Sequence, residues 1–173
     1  MSQPEPPYGA VAILSALQRH GVRFVLIGGV AASIHGSPLI TEDLDITPDA
    51  APDNFDAISA ALTDLEAKLR TPQGPVEFPI DGKMLAGGSA WTLSTAAGAF
   101  DLVLEPAGTR GYADLRKTAV EYDLGVGQPV LVASLIDLIR MKEAAHRPKD
   151  IAALPALRQT LEVIRDREAR DQG

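Results

Sequence analysis

The sequence predicts a mixed α/β (α+β) domain, in which helices flank a β-sheet and further helices close the chain. Three observations lead to this prediction. Helical and strand-like segments alternate at the front, strand-like segments then follow one another, and helical periodicity returns from residue 134. The 173 residues fit one domain, and 46% hydrophobic with 23% charged residues is typical of a globular protein. We therefore expect a single domain over residues 1–173.

The front of the chain predicts helices and strands in alternation. Apolar residues at helical spacing indicate helices, whereas short β-branched or alternating runs indicate strands, and glycines or prolines mark the breaks. The segments, in order, are a Pro-rich lead-in (1–7), a helix (8–20), a buried strand (23–27), a short helix (30–35), a strand (43–47) and an amphipathic helix (52–69).

The back of the chain predicts strands followed by two helices. We expect a strand pair turned at Gly98, two more strand segments, and then a C-terminal helical part over 134–167 in which Ser134 caps the first helix and Pro148 begins the second. The charged end, 168–173, is expected to fray. The four strand segments are 91–95, 99–104, 119–124 and 130–132.

Composition excludes several classes of function. The chain has no Cys, so a Cys-ligated metal site or a thiol nucleophile is excluded. A net charge of −7 argues against a strongly basic nucleic-acid binder. Residues 134–173 nevertheless carry 8 basic and 7 acidic side chains, so an anionic partner is expected to dock there. No stretch has the length and apolarity of a membrane span or signal peptide, and we expect a cytoplasmic protein without membrane contact.

The segment from residue 24 to 46 carries the chemistry. A strand ends in Gly28 and Gly29, a helix follows, and the next strand bears Asp43 and Asp45. Residues i and i+2 of a strand share a face, so these two carboxylates stand side by side. Such a pair suits Mg²⁺, which binds one or two carboxylates and completes its shell with phosphate oxygens and water. Glycines allow a backbone to approach a phosphate closely, next to the free N–H groups of a helix start.

This segment resembles the signature of the nucleotidyltransferase superfamily, a glycine pair followed by Asp-hydrophobic-Asp. More narrowly, the glycine pair, His35-Gly36, Thr41 and Asp43-Leu44-Asp45 resemble AbiEii-type (MenT-like) nucleotidyltransferases, the enzymatic toxins of toxin–antitoxin pairs. A second block, over 135–154, is similar to that group's later motif, with a helical Lys followed by Arg-x-Lys-Asp. The resemblance implies a nucleotidyltransferase fold and Mg²⁺-dependent transfer of a nucleotidyl group from a nucleoside triphosphate.

The resemblance also assigns roles to individual residues. Asp43 and Asp45 are expected to bind the metal, Gly28 and Gly29 to hold the donor phosphates, and Thr41 to line the same pocket. Lys142 is expected to pair with the triphosphate, and Asp150 to be a later catalytic or site-organising acid. The superfamily often places a third carboxylate on a neighbouring strand. Asp101 is the candidate for that position, as base and metal ligand.

The sequence leaves the acceptor open. The AbiEii-type resemblance implies the 3′ end of a tRNA as acceptor and a cognate antitoxin as partner. An alternative is adenylylation of a protein or of a small-molecule hydroxyl. Relatives often carry a basic residue where Leu39 and Ile40 stand here, which supports a third alternative, a non-catalytic module that binds a nucleotide or a partner.

Overall fold

The computed structural model describes residues 8–173, so the lead-in predicted over 1–7 lies outside the described residues. The helices of the described part are α1 (Tyr8–Arg19), α2 (Gly28–Ile34), α3 (Pro52–Asp64), α4 (Gly82–Ala86), α5 (Tyr112–Leu115), α6 (Leu135–Ala145) and α7 (Pro148–Asp171). The strands are β1 (Phe24–Ile27), β2 (Leu44–Pro48), β3 (Lys68–Thr71), β4 (Gly74–Val76), β5 (Ala90–Thr95), β6 (Gly98–Val103), β7 (Val120–Tyr122) and β8 (Val130–Val132). Within 8–173, every helix is too short or too polar to cross a lipid bilayer.

The strands form one mixed sheet, which confirms the predicted fold class. Its order is β4-β3-β5-β6-β2-β1-β8-β7. Strand β2 pairs in parallel with β6, β1 pairs in parallel with β8, and the other pairs are antiparallel. The strands predicted to carry the chemistry, β1 and β2, therefore lie in the middle of the sheet.

Alternation along the central strands separates a packed face from a polar one. Leu44 and Ile46 on β2 are buried in the core, and so are Phe100 and Leu102 on β6. Burying one such side chain contributes about 1.5–3 kcal/mol, so this alternation fixes which face turns inward. The residues between them, such as Asp45, turn to the opposite face.

Two predicted helix bounds are wrong. The helix expected over 52–69 ends at Asp64, because Glu66 adopts a left-handed conformation (φ 52°) and the chain then turns back as β3, which pairs with β4 and β5. The last helix, expected to end at residue 167, continues to Asp171, and the fraying expected over 168–173 stays a prediction.

Helices α6 and α7 bring the second block of the sequence to the sheet. Ser134 caps α6, as predicted, because its hydroxyl accepts a hydrogen bond from the backbone N–H of Asp137 (3.1 Å). Helix α6 ends before His146, whose φ of 51° turns the chain sharply into α7. This turn places Lys142, near the end of α6, beside Asp150 in the first turn of α7.

Candidate active site

The predicted acidic residues meet on the polar face of the sheet. In the parallel pairing of β2 with β6, Asp45 and Asp101 are direct partners, and Asp43 precedes β2 by one residue. They lie along one cavity of about 650 Å³. Every residue predicted for the site contributes to its lining: Gly28, Gly29, Thr41, Asp43, Asp45, Asp101, Lys142 and Asp150.

Asp45 carries the clearest electrostatic signature of the cluster. Burial raises its pKa most, and the negative charges of Asp101 and Asp43 raise it further, to about 7. The positive charge of Lys142, which lines the same cavity, opposes the shift. Repulsion between neighbouring carboxylates is relieved when a cation binds between them.

Packing against Asp45 and Thr41 explains why glycines stand at positions 28 and 29, and the sequence alone did not show this. A Cβ on Gly28 would stand 2.3 Å from Oδ2 of Asp45, and a Cβ on Gly29 would stand 2.6 Å from Cγ2 of Thr41. Gly28 also has a φ of +75°, which L-residues with side chains rarely adopt. The two glycines therefore leave room for Asp45 and Thr41 to reach the cavity. Their predicted contact with donor phosphate stays a prediction.

A buried carboxylate holds two cationic side chains at the other wall of the cavity. Lys142 Nζ donates to Oδ1 of Asp150 (3.1 Å), and Arg147 Nε donates to Oδ2 (2.7 Å). The Asp150 side chain is 0% exposed, whereas that of Lys142 is 30% exposed and that of Arg147 59%. Burial by itself would raise the pKa of Asp150, but hydrogen bonds from Arg147 and Lys142 outweigh it and lower the pKa to about 2.

Of the two roles expected for Asp150, catalytic acid or site-organising acid, this geometry favours the second. A buried carboxylate that keeps its charge and already accepts bonds from two cations is suited to fixing their positions rather than to exchanging protons with a substrate. Arg147, the Arg of the Arg-x-Lys-Asp motif, is seven residues from Arg140, a spacing that would place both on one face of a continuous helix. The left-handed turn at His146 places the two residues on different helices. Arg140 pairs with Asp114 and Asp137, whereas Arg147 pairs with Asp150.

Arg70 is a residue of the site that the sequence reading missed. It lies on β3, and its Nη2 donates to both carboxylate oxygens of Asp101, at 3.0 and 3.3 Å. Burial raises the pKa of Asp101, the Arg70 guanidinium opposes that shift, and Asp43 adds to it. The helix predicted through residue 69 concealed Arg70, since only the strand pairing of β3 brings it toward the sheet centre.

The carboxylates of the cavity fit a divalent cation that takes two ligands from the protein better than a cation that takes three. Within residues 8–173, no three His, Cys, Asp or Glu side chains form a metal-binding group by themselves. Asp43 and Asp45 still offer hard oxygen ligands at the space that Gly28 leaves open. A pair of carboxylates fits Mg²⁺ when substrate phosphates complete the shell. The role of Asp101 as a third ligand stays a prediction.

Comparison with known proteins identifies the fold. No protein-family model matches the sequence, and neither does any curated protein. A solved structure of the lincosamide antibiotic adenylyltransferase LnuA, with lincomycin bound, is similar with a TM-score of 0.60 and 14% identity, over 91% of this chain and 99% of that one. The antibiotic-resistance factor ANT(2'')-Ia is similar with a TM-score of 0.56 and 16% identity, over 95% and 93%. The chain has the nucleotidyltransferase fold that the resemblance implied.

Proposed function

We propose that this protein is a metal-dependent nucleotidyltransferase that takes a nucleoside triphosphate as donor. The observation that carries the proposal is the convergence, in one cavity, of Asp43 and Asp45 from the sheet with Lys142 and Arg147 from α6 and the start of α7. Carboxylates facing cationic groups are what a metal–polyphosphate complex needs, since the metal and the phosphates have opposite charge. The similarity in fold to an adenylyltransferase supports the same proposal.

In this proposal the cationic wall binds the donor. Lys142 and Arg147 contact the triphosphate oxygens, and Asp150 keeps both groups aimed at the cavity. Asp43 and Asp45 would hold the Mg²⁺ ion, which neutralises charge on the phosphates and on the leaving group when bound. Lys is suited to the triphosphate because its ammonium group is a flexible point charge.

The transfer step follows from that arrangement. The acceptor hydroxyl oxygen forms a bond to the α-phosphorus while the bond from that phosphorus to the bridging oxygen of the β-phosphate breaks, and pyrophosphate leaves. The hydroxyl proton must go to a nearby base. Asp101 is the candidate, because it lies beside Asp45 and its pKa is raised above the usual range of a carboxyl group.

For the acceptor we propose a small-molecule hydroxyl. Beyond the charged residues the cavity is largely apolar, and the exposed Ile40 is among its lining residues. Helix α7 mixes acidic with basic residues and offers no uniformly basic face. LnuA, the adenylyltransferase of similar fold, is bound to the small molecule lincomycin. The apolar lining includes Leu39, Leu138, Met141, Ala153 and Leu157.

The AbiEii-type assignment, the tRNA acceptor and the antitoxin partner stay predictions. One experiment separates the tRNA acceptor from the small-molecule acceptor proposed here. Each α-labelled nucleoside triphosphate is incubated with Mg²⁺ and either a panel of hydroxylated small molecules, including lincomycin and aminoglycosides, or total tRNA. Wild type is compared with Asp45→Asn and with Asp166→Asn, a control at an exposed position of α7.

We expect label on a small molecule in wild type and in the control, and a loss of at least about 100-fold in Asp45→Asn. Label on tRNA would replace the small-molecule acceptor by the one that the AbiEii-type resemblance implies. Tight nucleotide binding without label on any acceptor would instead favour the non-catalytic module, and label that does not depend on Asp45 would contradict the proposed site.

A further inference from the structure

Arg70 makes a specific, anchored contact with one carboxylate of the cluster. While its Nη2 contacts Asp101, its Nη1 donates to the backbone carbonyl of Leu93 on β5, at 3.2 Å. The Arg70 side chain is 34% exposed and that of Asp101 21%, so the ion pair is partly withdrawn from water. Both terminal nitrogens of the guanidinium are hydrogen-bonded, so the side chain loses little further conformational freedom by holding the carboxylate.

The sheet register explains why Arg70 reaches this carboxylate. Leu69 of β3 pairs with Leu93 of β5, so the next antiparallel step places Arg70 beside Thr92. Thr92 is in turn the register partner of Asp101. Residues that are in register across neighbouring strands point to the same face of a sheet. Arg70 therefore extends along the polar face, past Thr92, to Asp101.

The carboxylates of the cluster are thus not equivalent. Arg70 occupies both oxygens of Asp101, whereas no ion pair found within residues 8–173 involves Asp43 or Asp45. Asp101 lies directly beside Asp45 and lines the same cavity, so Arg70 holds a carboxylate that faces the other two. The side chains of Asp45 and Asp101 lie within hydrogen-bond reach of each other. A divalent cation arriving at the cavity therefore meets two carboxylates without a cationic partner and a third that Arg70 already holds.

We propose that Arg70 competes with the divalent cation for Asp101, so that Asp43 and Asp45 alone bind the cation while Asp101 remains the counter-ion of Arg70. The inference rests on the proposed function, because it concerns the metal site of that reaction. Its consequence is a weak cation site in the absence of nucleotide, since two carboxylates leave most of the coordination shell to water and phosphate. Cation and triphosphate then bind together. The metal leaves Asp101 free to accept the proton of the acceptor hydroxyl, because each oxygen of its carboxylate keeps a lone pair that Arg70 does not use.

Binding of Mn²⁺ to the nucleotide-free protein tests this without any measurement of activity. Free Mn²⁺ is followed by electron paramagnetic resonance during titration of wild type, Arg70→Gln, Asp101→Asn and the double variant. Lys149→Gln is the matched control, because Lys149 lines the same cavity and its removal reports the loss of one positive charge alone. Circular dichroism and urea unfolding establish that each variant is folded.

We expect Arg70→Gln to bind Mn²⁺ about tenfold more tightly than wild type, and more tightly than Lys149→Gln, because Asp101 becomes a third ligand. Asp101→Asn should stay within about twofold of wild type, because the metal does not use Asp101 while Arg70 is present. The double variant should do the same, because no carboxylate remains at position 101 to become a third ligand. A purely electrostatic effect would give a different pattern, in which Asp101→Asn weakens binding as much as Arg70→Gln strengthens it, and that pattern would overturn the inference.

The two proposals fail separately. If nucleotide transfer depends on Asp45 but Arg70→Gln binds Mn²⁺ no more tightly than wild type, the role of Arg70 is wrong and the proposed function stands. If Mn²⁺ binding follows the expected pattern while no nucleotide is transferred, the role of Arg70 stands and the proposed function is wrong. Should Arg70→Gln fail to fold, a tenfold loss of Mn²⁺ affinity in Asp101→Asn alone would still refute competition by Arg70.

Discussion

Replacing the buried carboxylate of Asp150 by an amide tests how the cationic wall of the cavity is held together. Asp150→Asn keeps the size of the side chain and removes the charge that Lys142 and Arg147 share. In the folded protein the pKa of Asp150 is lowered from 3.8 to about 2. Each pKa unit corresponds to about 1.4 kcal/mol, so the charged form contributes about 2 kcal/mol to the free energy of unfolding at neutral pH.

The contribution of Asp150 to the free energy of unfolding should depend on pH. Because the folded pKa lies below the unfolded one, the contribution of Asp150 is complete above pH 4 or so and disappears as the pH falls toward 2. Urea unfolding should therefore show Asp150→Asn to be about 2 kcal/mol less stable than wild type at pH 7, with a smaller difference at pH 3. Nucleotide affinity, measured by calorimetry, should fall with it, because Lys142 and Arg147 lose their fixed orientation.

The exposed ion pair of Glu143 with Arg158 is a matched control, since it joins the same two helices at 2.7 Å with both side chains more than half exposed. Glu143→Gln should change stability by no more than about 0.5 kcal/mol, as is usual for an exposed pair. The reasoning would be refuted if Asp150→Asn were as stable as wild type at pH 7, or if the two substitutions had equal effects.

Two further predictions concern the glycine pair and the cluster of acids. Gly21→Ala places a side chain at positive φ and should lose about 1–2 kcal/mol of stability. Gly28→Ala should lose more than that, because its Cβ also meets Asp45 whereas Gly21 has nothing within 4 Å. Only Gly28→Ala should lose transfer activity, and equal activity losses would contradict this. In EDTA, Asp45→Asn should melt at a higher temperature than wild type at pH 8 and at nearly the same temperature at pH 4. The reason is that the pKa of Asp45 is raised to about 7 in the folded protein, so ionisation of this carboxyl destabilises wild type as the pH rises. A variant that melts below wild type at pH 8 would contradict this prediction.

The sequence predicted the parts of the site that depend on local pattern. The strand ending in Gly28 and the strand bearing Asp45 are short apolar or alternating runs, and the cap at Ser134 is a local hydrogen bond. Each of these follows from the spacing of neighbouring residues, which a single sequence displays. The mixed sheet and the C-terminal helices were predicted for the same reason.

The parts that the sequence missed depend on contacts between distant segments. The amphipathic pattern continues past Asp64, so the sequence concealed β3 and with it Arg70, whose position depends on pairing with β5. The left-handed turn at His146 likewise decides that Arg147 faces Asp150 rather than following Arg140 along one helix. The contacts of Arg70 and Arg147 therefore depend on strand pairing and on a chain turn, which the spacing of neighbouring residues does not display.

A crystal structure with Mg²⁺ and a non-hydrolysable nucleoside triphosphate tests the central claim most directly. We predict the cation on Asp43 and Asp45 and the phosphates against Lys142 and Arg147, within the 650 Å³ cavity. A nucleotide bound elsewhere, for instance in the 580 Å³ cavity beside Arg110 and Lys117, would contradict the account.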